Sequence, residues 1–318
     1  MSTLDFGGRV AIVTGAGRGM GRSHAKMLAS RGARVIVNDL PAAAGEESAA
    51  SAVVREITAK GGKAVANHAS VVDSGREIVQ AAIDAFGRLD IVVCNAGVMS
   101  SASFGDGDPE EWQRVFNIHF GGTVGVLRPA WPHLVRSGTG RIITISSSGM
   151  LGNAGITSYG SAKAGIFGLT RSLACEGLAS GIMANCIFPT ARTRMADTID
   201  DPAILSTLEK YFQPEHVSAM VVWLTHQDTH VTNQAFQVSG GRAGRLTMAA
   251  APTVRVNEST PEAWAQNEAK LMADGPLTPY TSTAEMFGNE LADADPEIRH
   301  TMGEKGGLAL RTTEDFPT

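Results

Sequence analysis

Cysteine is scarce in this chain, with only Cys94, Cys175 and Cys186 present. An odd number cannot all pair, and no CxxC or Cys/His cluster accompanies them, which sets aside a disulfide framework and a metal site. The three thiols read as small buried groups. Long apolar runs are also missing. Stretches such as Val10 to Val13 and Ile91 to Cys94 fall far short of the ~20 residues a membrane-spanning helix needs. The opening Met1-Ser2-Thr3-Leu4-Asp5 has neither the basic start nor the apolar stretch of a secretory leader. A reducing cytoplasm is therefore the expected compartment. Lysine and arginine form no stripe and no basic amphipathic helix, which argues against nucleic acid and membrane surfaces as partners. There is no internal repeat, and the only compositional bias is towards alanine.

Hydrophobic residues make up 43% of the 318 and charged residues 19%, enough for a substantial core. The net charge of −5 is uneven: residues 246–318 hold twelve Asp/Glu against five Lys/Arg, leaving the first 245 at +2. Within residues 1–245, short β-branched runs alternate with alanine-rich helical stretches. Arg9 to Thr14 precedes Met20 to Ser30, Arg34 to Asn38 precedes Glu46 to Lys60, and Ala64 to Ala66 precedes Ser74 to Phe86. A strand at Ile91 to Cys94, a long helix around Pro109 to Val135, and strands at Arg141 to Ile145, Ala184 to Phe188 and Ala235 to Val238 continue the pattern. Such alternation predicts an α/β fold, a Rossmann-type doubly wound parallel sheet of about seven strands. Residues 246–318 predict an acidic extension with one helix, capped by Ser259-Thr260 and running from Pro261 to about Ala273. It would drape on the core or on a partner subunit.

Directly after the first strand comes Thr14-Gly15-Ala16-Gly17-Arg18-Gly19-Met20-Gly21. Glycines let the backbone turn and approach a pyrophosphate, and the helix that comes next offers free N–H groups and a positive dipole end. The spacing is Thr-Gly-xxx-Gly-x-Gly rather than GxGxxG. Eighteen residues past Gly21 the second strand ends in Asn38-Asp39-Leu40. A carboxylate there accepts hydrogen bonds from an adenosine ribose and repels a 2′-phosphate, favouring NAD over NADP. Arg18 argues the other way, and Asp39 outweighs it. Further on, Tyr159 stands four residues ahead of Lys163, so both lie on one helical face. A nearby ammonium favours the phenolate and lowers the tyrosine pKa, suiting it to proton exchange with an alcohol or carbonyl oxygen.

Together these residues resemble the short-chain dehydrogenase/reductase family, with the likeness covering about residues 5–245. It rests on the Thr14 to Gly21 turn, Cys94-Asn95-Ala96-Gly97, Asn117, the run Ser146-Ser147-Ser148-Gly149, Tyr159-xxx-Lys163, and Pro189 followed by Thr193. By this resemblance Tyr159 transfers the proton, while Lys163 tunes it and holds the nicotinamide ribose. Ser146, thirteen before Tyr159 and opening a Ser-x-x-Gly pattern, binds the substrate oxygen, with Ser147 second. Asn117 supports a water linking Lys163 to solvent. Asn95, Ala96 and Gly97 pass beside the cofactor, Thr193 holds the carboxamide, and Ser70 and Val71 pack on the adenine.

Three positions depart from the family pattern. Pro189-Thr190 stands where Pro-Gly is usual, the acidic residue near adenine is missing around Ala69-Ser70-Val71, and Asn233 replaces a glycine.

The resemblance implies hydride exchange between NAD and a secondary alcohol or ketone in a homo-oligomer, dimer or tetramer. Met99, Phe104, Met150, Leu151, Phe188 and Met195, with a lid-like stretch from Ala196 to Phe212, are expected around a bulky apolar substrate, foremost a hydroxysteroid-like alcohol. Asn38-Asp39-Leu40, Gly149 to Tyr159 and the extension also look similar to the hydroxysteroid or hydroxyacyl-CoA dehydrogenase part of multifunctional β-oxidation enzymes. That makes a 3-hydroxyacyl-CoA dehydrogenase the alternative, with Arg192 and Arg194 near a CoA phosphate. A non-catalytic dinucleotide-binding regulator is the third reading.

Overall fold

Side chains of an extended strand point alternately to its two faces. In Val10–Thr14, Ala11 and Val13 enter one core layer and Val10 and Ile12 the other. A strand apolar on both faces belongs inside a parallel sheet covered by helices on each side. The computed structural model, which describes residues 3–193 and 201–294, places it there.

The chain divides into two units, Met1–Arg245 and Leu246–Thr318. In the first, β1 (Val10–Thr14), α1 (Gly19–Ala29), β2 (Arg34–Asn38), α2 (Ala49–Thr58), β3 (Lys63–Asn67), α3 (Gly75–Phe86) and β4 (Ile91–Cys94) come first. They are followed by α4 (Pro109–Phe116), α5 (Gly122–Ser137), β5 (Arg141–Ile145), α6 (Thr157–Gly177), β6 (Met183–Thr190), α7 (Pro202–Tyr211), α8 (Pro214–Thr225), β7 (Gln234–Ser239) and β8 (Arg242–Leu246). The strands form one sheet in the order β3-β2-β1-β4-β5-β6-β7-β8, parallel from β3 through β7. Residues of α1, α2 and α8 pack on one face, and those of α3, α5 and α6 on the other.

Two features differ from the expectation. An eighth strand comes after the two-residue turn Gly240-Gly241, whose φ angles of 49° and 75° return the chain as a hairpin. Its sequence Arg-Ala-Gly-Arg-Leu is largely exposed and carries no apolar alternation by which to recognise it. The long helix is interrupted by a π-helical turn at Asn117–Gly121, between α4 and α5. Such turns insert one residue into the helical ladder and rotate the helix beyond them about its axis.

In the second unit, β9 (Ala249–Ala250) precedes α9 (Pro261–Gln266), α10 (Glu268–Leu271), β10 (Thr278–Pro279) and α11 (Thr283–Ala294), and β10 pairs antiparallel with β9. Thr260 caps α9 by accepting the Ala263 N–H at 3.1 Å. The single helix expected to reach about Ala273 breaks at Asn267, whose side-chain amide donates to the Ala263 carbonyl at 2.8 Å. Asparagine there competes with the helical backbone. Among the described residues no helix is long and apolar enough to cross a membrane.

Beneath the sheet, fully buried Asp90 accepts the Val10 N–H at 2.9 Å, Ser137 Oγ at 2.6 Å and two bonds from Arg88 at 2.6 and 2.9 Å. Burial alone would raise its pKa, but the bonds from Arg88, Ser137 and Val10 hold it below the ordinary value of 3.8. Its stabilisation is therefore complete above about pH 4 and fades as pH falls through the lower folded value. Asp90→Asn should cost about 2 kcal/mol in urea unfolding at neutral pH. The gap to the native protein should narrow in acid; a gap that persists below the native carboxyl's pKa would contradict this assignment.

Candidate active site

A cleft of about 1050 Å³ opens where the chain runs in opposite directions from β1 to its neighbours β2 and β4. Ligand sites of open α/β sheets lie at such switch points. Gly15, Arg18, Gly19 and Met20 line it from the turn between β1 and α1. Arg18 occupies the N-cap of α1 without a side-chain capping bond, and the first turn holds no acidic residue, so its N–H groups suit an anion. Gly17 and Gly21 are not in the wall. They allow close packing: a Cβ on Gly21 would fall 2.2 Å from the Gly15 carbonyl oxygen, and one on Gly17 2.7 Å from Asp39 Oδ2.

Asp39 lines the cleft at the end of β2, with Leu40, Ser70 and Val71 beside it. Its carboxylate is oriented by the Gly17 N–H at 2.7 Å and the Leu40 N–H at 2.9 Å. Across the turn, Asn95 Nδ2 donates to the Thr14 and Gly15 carbonyls at 3.0 and 3.1 Å, and Thr14 Oγ1 accepts the Asn95 and Ala96 N–H groups. These bonds fasten the segment after β4 to the glycine turn. Asn95, Ala96 and Gly97 border the cleft, as do Pro189, Thr190 and Thr193 on the opposite side. A phosphate cradle, a carboxylate 22 residues from Gly17 and a channel between them fit a dinucleotide.

Tyr159 and Lys163 meet the cleft floor from α6. The lysine Nζ donates to the Ile145 carbonyl at 2.6 Å and lies 5.5 Å from the centre of the tyrosine ring. Burial lowers the Lys163 pKa to about 8. The expected lowering of the Tyr159 pKa by Lys163 is not what this geometry gives. Burial pushes the phenol up, and the opposing influence is a hydrogen bond from Ser147. The ammonium is drawn to the end of β5 and not to the phenolic oxygen, and a buried phenolate is costly.

Ser146 and Ser147 take different partners. Ser146 continues β5, its N–H bonded to the Ile187 carbonyl, and its hydroxyl turns inward to donate to the Lys163 carbonyl at 2.8 Å. The next residue in extended backbone faces the other way. Ser147 accepts the Gly149 N–H at 3.1 Å, and its hydroxyl is the group that opposes the rise of the Tyr159 pKa. Both serines border the cleft.

Asn117 borders the cleft with its side chain tied to Gln113 Nε2 at 2.7 Å, while the polar group from the same π-helical turn that packs on Tyr159 is His119. Sequence reasoning missed His119, because the inserted residue shifts which positions face inward.

Of the expected substrate-lining side chains, Met99 borders the cleft. Phe188 is buried edge-on against Phe167, at 5.9 Å between centroids, and belongs to the core. Leu151 and Phe104 are 76% and 77% exposed and do not border it, nor does Met150, whose sulfur lies 4.0 Å from Ser146 Oγ. Met195, Arg194 and the start of the lid-like stretch lie outside the described residues. Arg192, considered for a CoA phosphate, pairs with Glu209 at 3.4 Å. Glu110, Gln113 and Arg114 on α4 and Leu208 on α7 take the remaining wall, and no motif announces them.

A family model described as short chain dehydrogenase matches residues 9–203. The chain is similar to the peroxisomal multifunctional enzyme type 2 of Mus musculus, 39% identical over 329 aligned residues that cover 99% of this chain and 43% of that protein. It thus spans less than half of that relative's length. It is 35% identical over 247 residues to the (2S)-[(R)-hydroxy(phenyl)methyl]succinyl-CoA dehydrogenase subunit BbsD of Thauera aromatica, covering 74% of this chain and 96% of that one. Among solved structures, a short chain dehydrogenase from Mycobacterium avium superposes with a TM-score of 0.76 at 36% identity, covering 88% of this chain and all of the other. The match extends from the glycine turn past Tyr159 and Lys163 and is joined by near full-length relatives. The chain therefore belongs to the short-chain dehydrogenase family, an oxidoreductase that acts on CH–OH groups with a nicotinamide dinucleotide.

Proposed function

We propose that this protein is an NAD-dependent 3-hydroxyacyl-CoA dehydrogenase. The observation that carries the reading is the reach of the likeness to a multifunctional enzyme, which covers 99% of the chain and so includes residues 246–318. The cleft wall supports it against a hydroxysteroid. The large apolar side chains Phe188 and Leu151 are absent from the wall, and the polar Glu110, Gln113 and Arg114 stand in it. Polar groups at one part of an otherwise largely apolar wall suit an acyl chain that carries a polar thioester beside its hydroxyl.

Bound between the glycine turn and Tyr159, the nicotinamide supplies hydride exchange with the carbon bearing the hydroxyl. The chain's own residues handle the proton and the oxygen. Tyr159 takes the hydroxyl proton on oxidation and returns it on reduction, and Ser147 donates a hydrogen bond at the oxygen where charge develops. Lys163, with its pKa lowered to about 8, is poised to release and regain a proton at Nζ near neutral pH. Asp39 and the uncapped start of α1 hold the adenosine and pyrophosphate ends.

Steady-state NADH formation tests the reading with a 3-hydroxyacyl-CoA thioester, the matching free hydroxy acid and a hydroxysteroid. Saturable turnover of the thioester alone is expected, and efficient steroid turnover without thioester activity would overturn it. Cofactor choice is tested separately. Asp39→Ala removes the negative charge that opposes a 2′-phosphate, so the NAD/NADP ratio of kcat/KM should fall about a hundredfold. An unchanged ratio would refute the role of Asp39. We also propose a dimer or tetramer, to be measured by sedimentation equilibrium; a monomer at working concentration would refute it.

A further inference from the structure

Most of the cleft's polar groups have partners within the chain, and His119 is an exception. It is 1% exposed, and its Nδ1 is buried with no hydrogen-bond partner. A buried polar atom left alone costs free energy unless a water or ligand satisfies it. The other ring nitrogen is engaged: Nε2 lies 2.7 Å from the Val98 carbonyl oxygen and 3.1 Å from the Val98 nitrogen. The Val98 N–H contact needs a lone pair on Nε2 and the carbonyl contact needs a proton there, so they belong to different tautomers, and the shorter contact favours the proton on Nε2. A neutral ring with that proton on Nε2 leaves Nδ1 as a lone-pair acceptor.

The surroundings are specific. The imidazole meets the Tyr159 ring edge-on, at 5.1 Å between centroids and 87° between planes. A Cβ on Gly97 would fall 2.2 Å from Cε1, so the segment after β4 is moulded around the ring. His119 borders the cleft, with its Nδ1 shielded from it behind Gly97. The titratable groups facing it are Tyr159 and Lys163 of α6. Burial, and then the Lys163 charge, push its pKa down to about 3, keeping the ring neutral.

We propose that His119 is a positioning residue for proton transfer. Its Nε2 is fastened to the Val98 backbone, and its ring, wedged against Gly97, sets the Tyr159 ring edge-on. This rests on the dehydrogenase reading for its kinetic consequence, but not for its structural one.

The test has two arms. Nitrogen-15 NMR of histidine-labelled protein without substrate should show a neutral ring with Nε2 protonated and Nδ1 bare from about pH 5 to 9, as a pKa of about 3 requires. An Nδ1–H tautomer, or titration within that range, would overturn the proposal even if the enzyme used another substrate. In the second arm, His119→Phe keeps a ring against Tyr159 and removes both nitrogens. The expected result is a fall in kcat of about tenfold or more, with KM and dinucleotide affinity little changed. His119→Gln, which keeps a donor and an acceptor, should recover part of the loss. Full kcat in the phenylalanine variant would show that the ring only fills space and would also overturn the proposal.

Discussion

Tyr159→Phe should reduce turnover by about a thousandfold or more while leaving dinucleotide affinity unchanged. The substitution removes one oxygen from a side chain that is 7% exposed and keeps the ring against His119. Folding should therefore survive, with thermal unfolding displaced by only the loss of the Ser147 bond. What disappears is the atom that exchanges a proton with the substrate hydroxyl. The groups proposed to hold the cofactor are mainly the glycine turn and Asp39, which line another part of the cleft, so fluorescence titration with NADH should give a near-native Kd. Because burial raises the Tyr159 pKa, alcohol oxidation by the native enzyme should quicken as pH rises from neutral, since more of the phenol is then available as base. A variant that kept most of its activity would show that another group moves the proton.

Much of this site was legible in the sequence, and the parts that were share a physical reason. The Thr14 to Gly21 turn and Asp39 depend on local chemistry, the backbone freedom of glycine and a carboxylate at a strand end, and the structure brings both to the cleft. Asn233, standing where a glycine is usual, has φ 56°, the left-handed geometry asparagine tolerates. The parts that depend on register and tertiary contact are less legible. Counting thirteen residues back from Tyr159 selects Ser146, but whether Ser146 or Ser147 faces the tyrosine is decided by where β5 ends and which way the next residue turns. Asn117 borders the cleft, and the π-helical turn that starts there brings His119 inward as well. Phe188 looked like a pocket wall because aromatics line pockets and cores alike; its contact with Phe167 is tertiary and has no local signal.

The serine pair is where geometry and spacing disagree, and the second large effect is expected there. Ser147 has extended backbone and lowers the Tyr159 pKa, so we propose that in the complex it shares the substrate oxygen with Tyr159. Removing one preorganised donor from such a position costs about a hundred- to a thousandfold in kcat. Ser146 is 1% exposed and ties the end of β5 to the backbone of α6 through the Lys163 carbonyl. Its loss should cost about 1 kcal/mol of stability and change kcat by less than tenfold. The most direct test of the site is thus the kcat of Ser146→Ala and Ser147→Ala, measured side by side with the same alcohol substrate and saturating NAD. This geometry predicts that Ser147→Ala is crippled and Ser146→Ala remains active; the reverse order would contradict it.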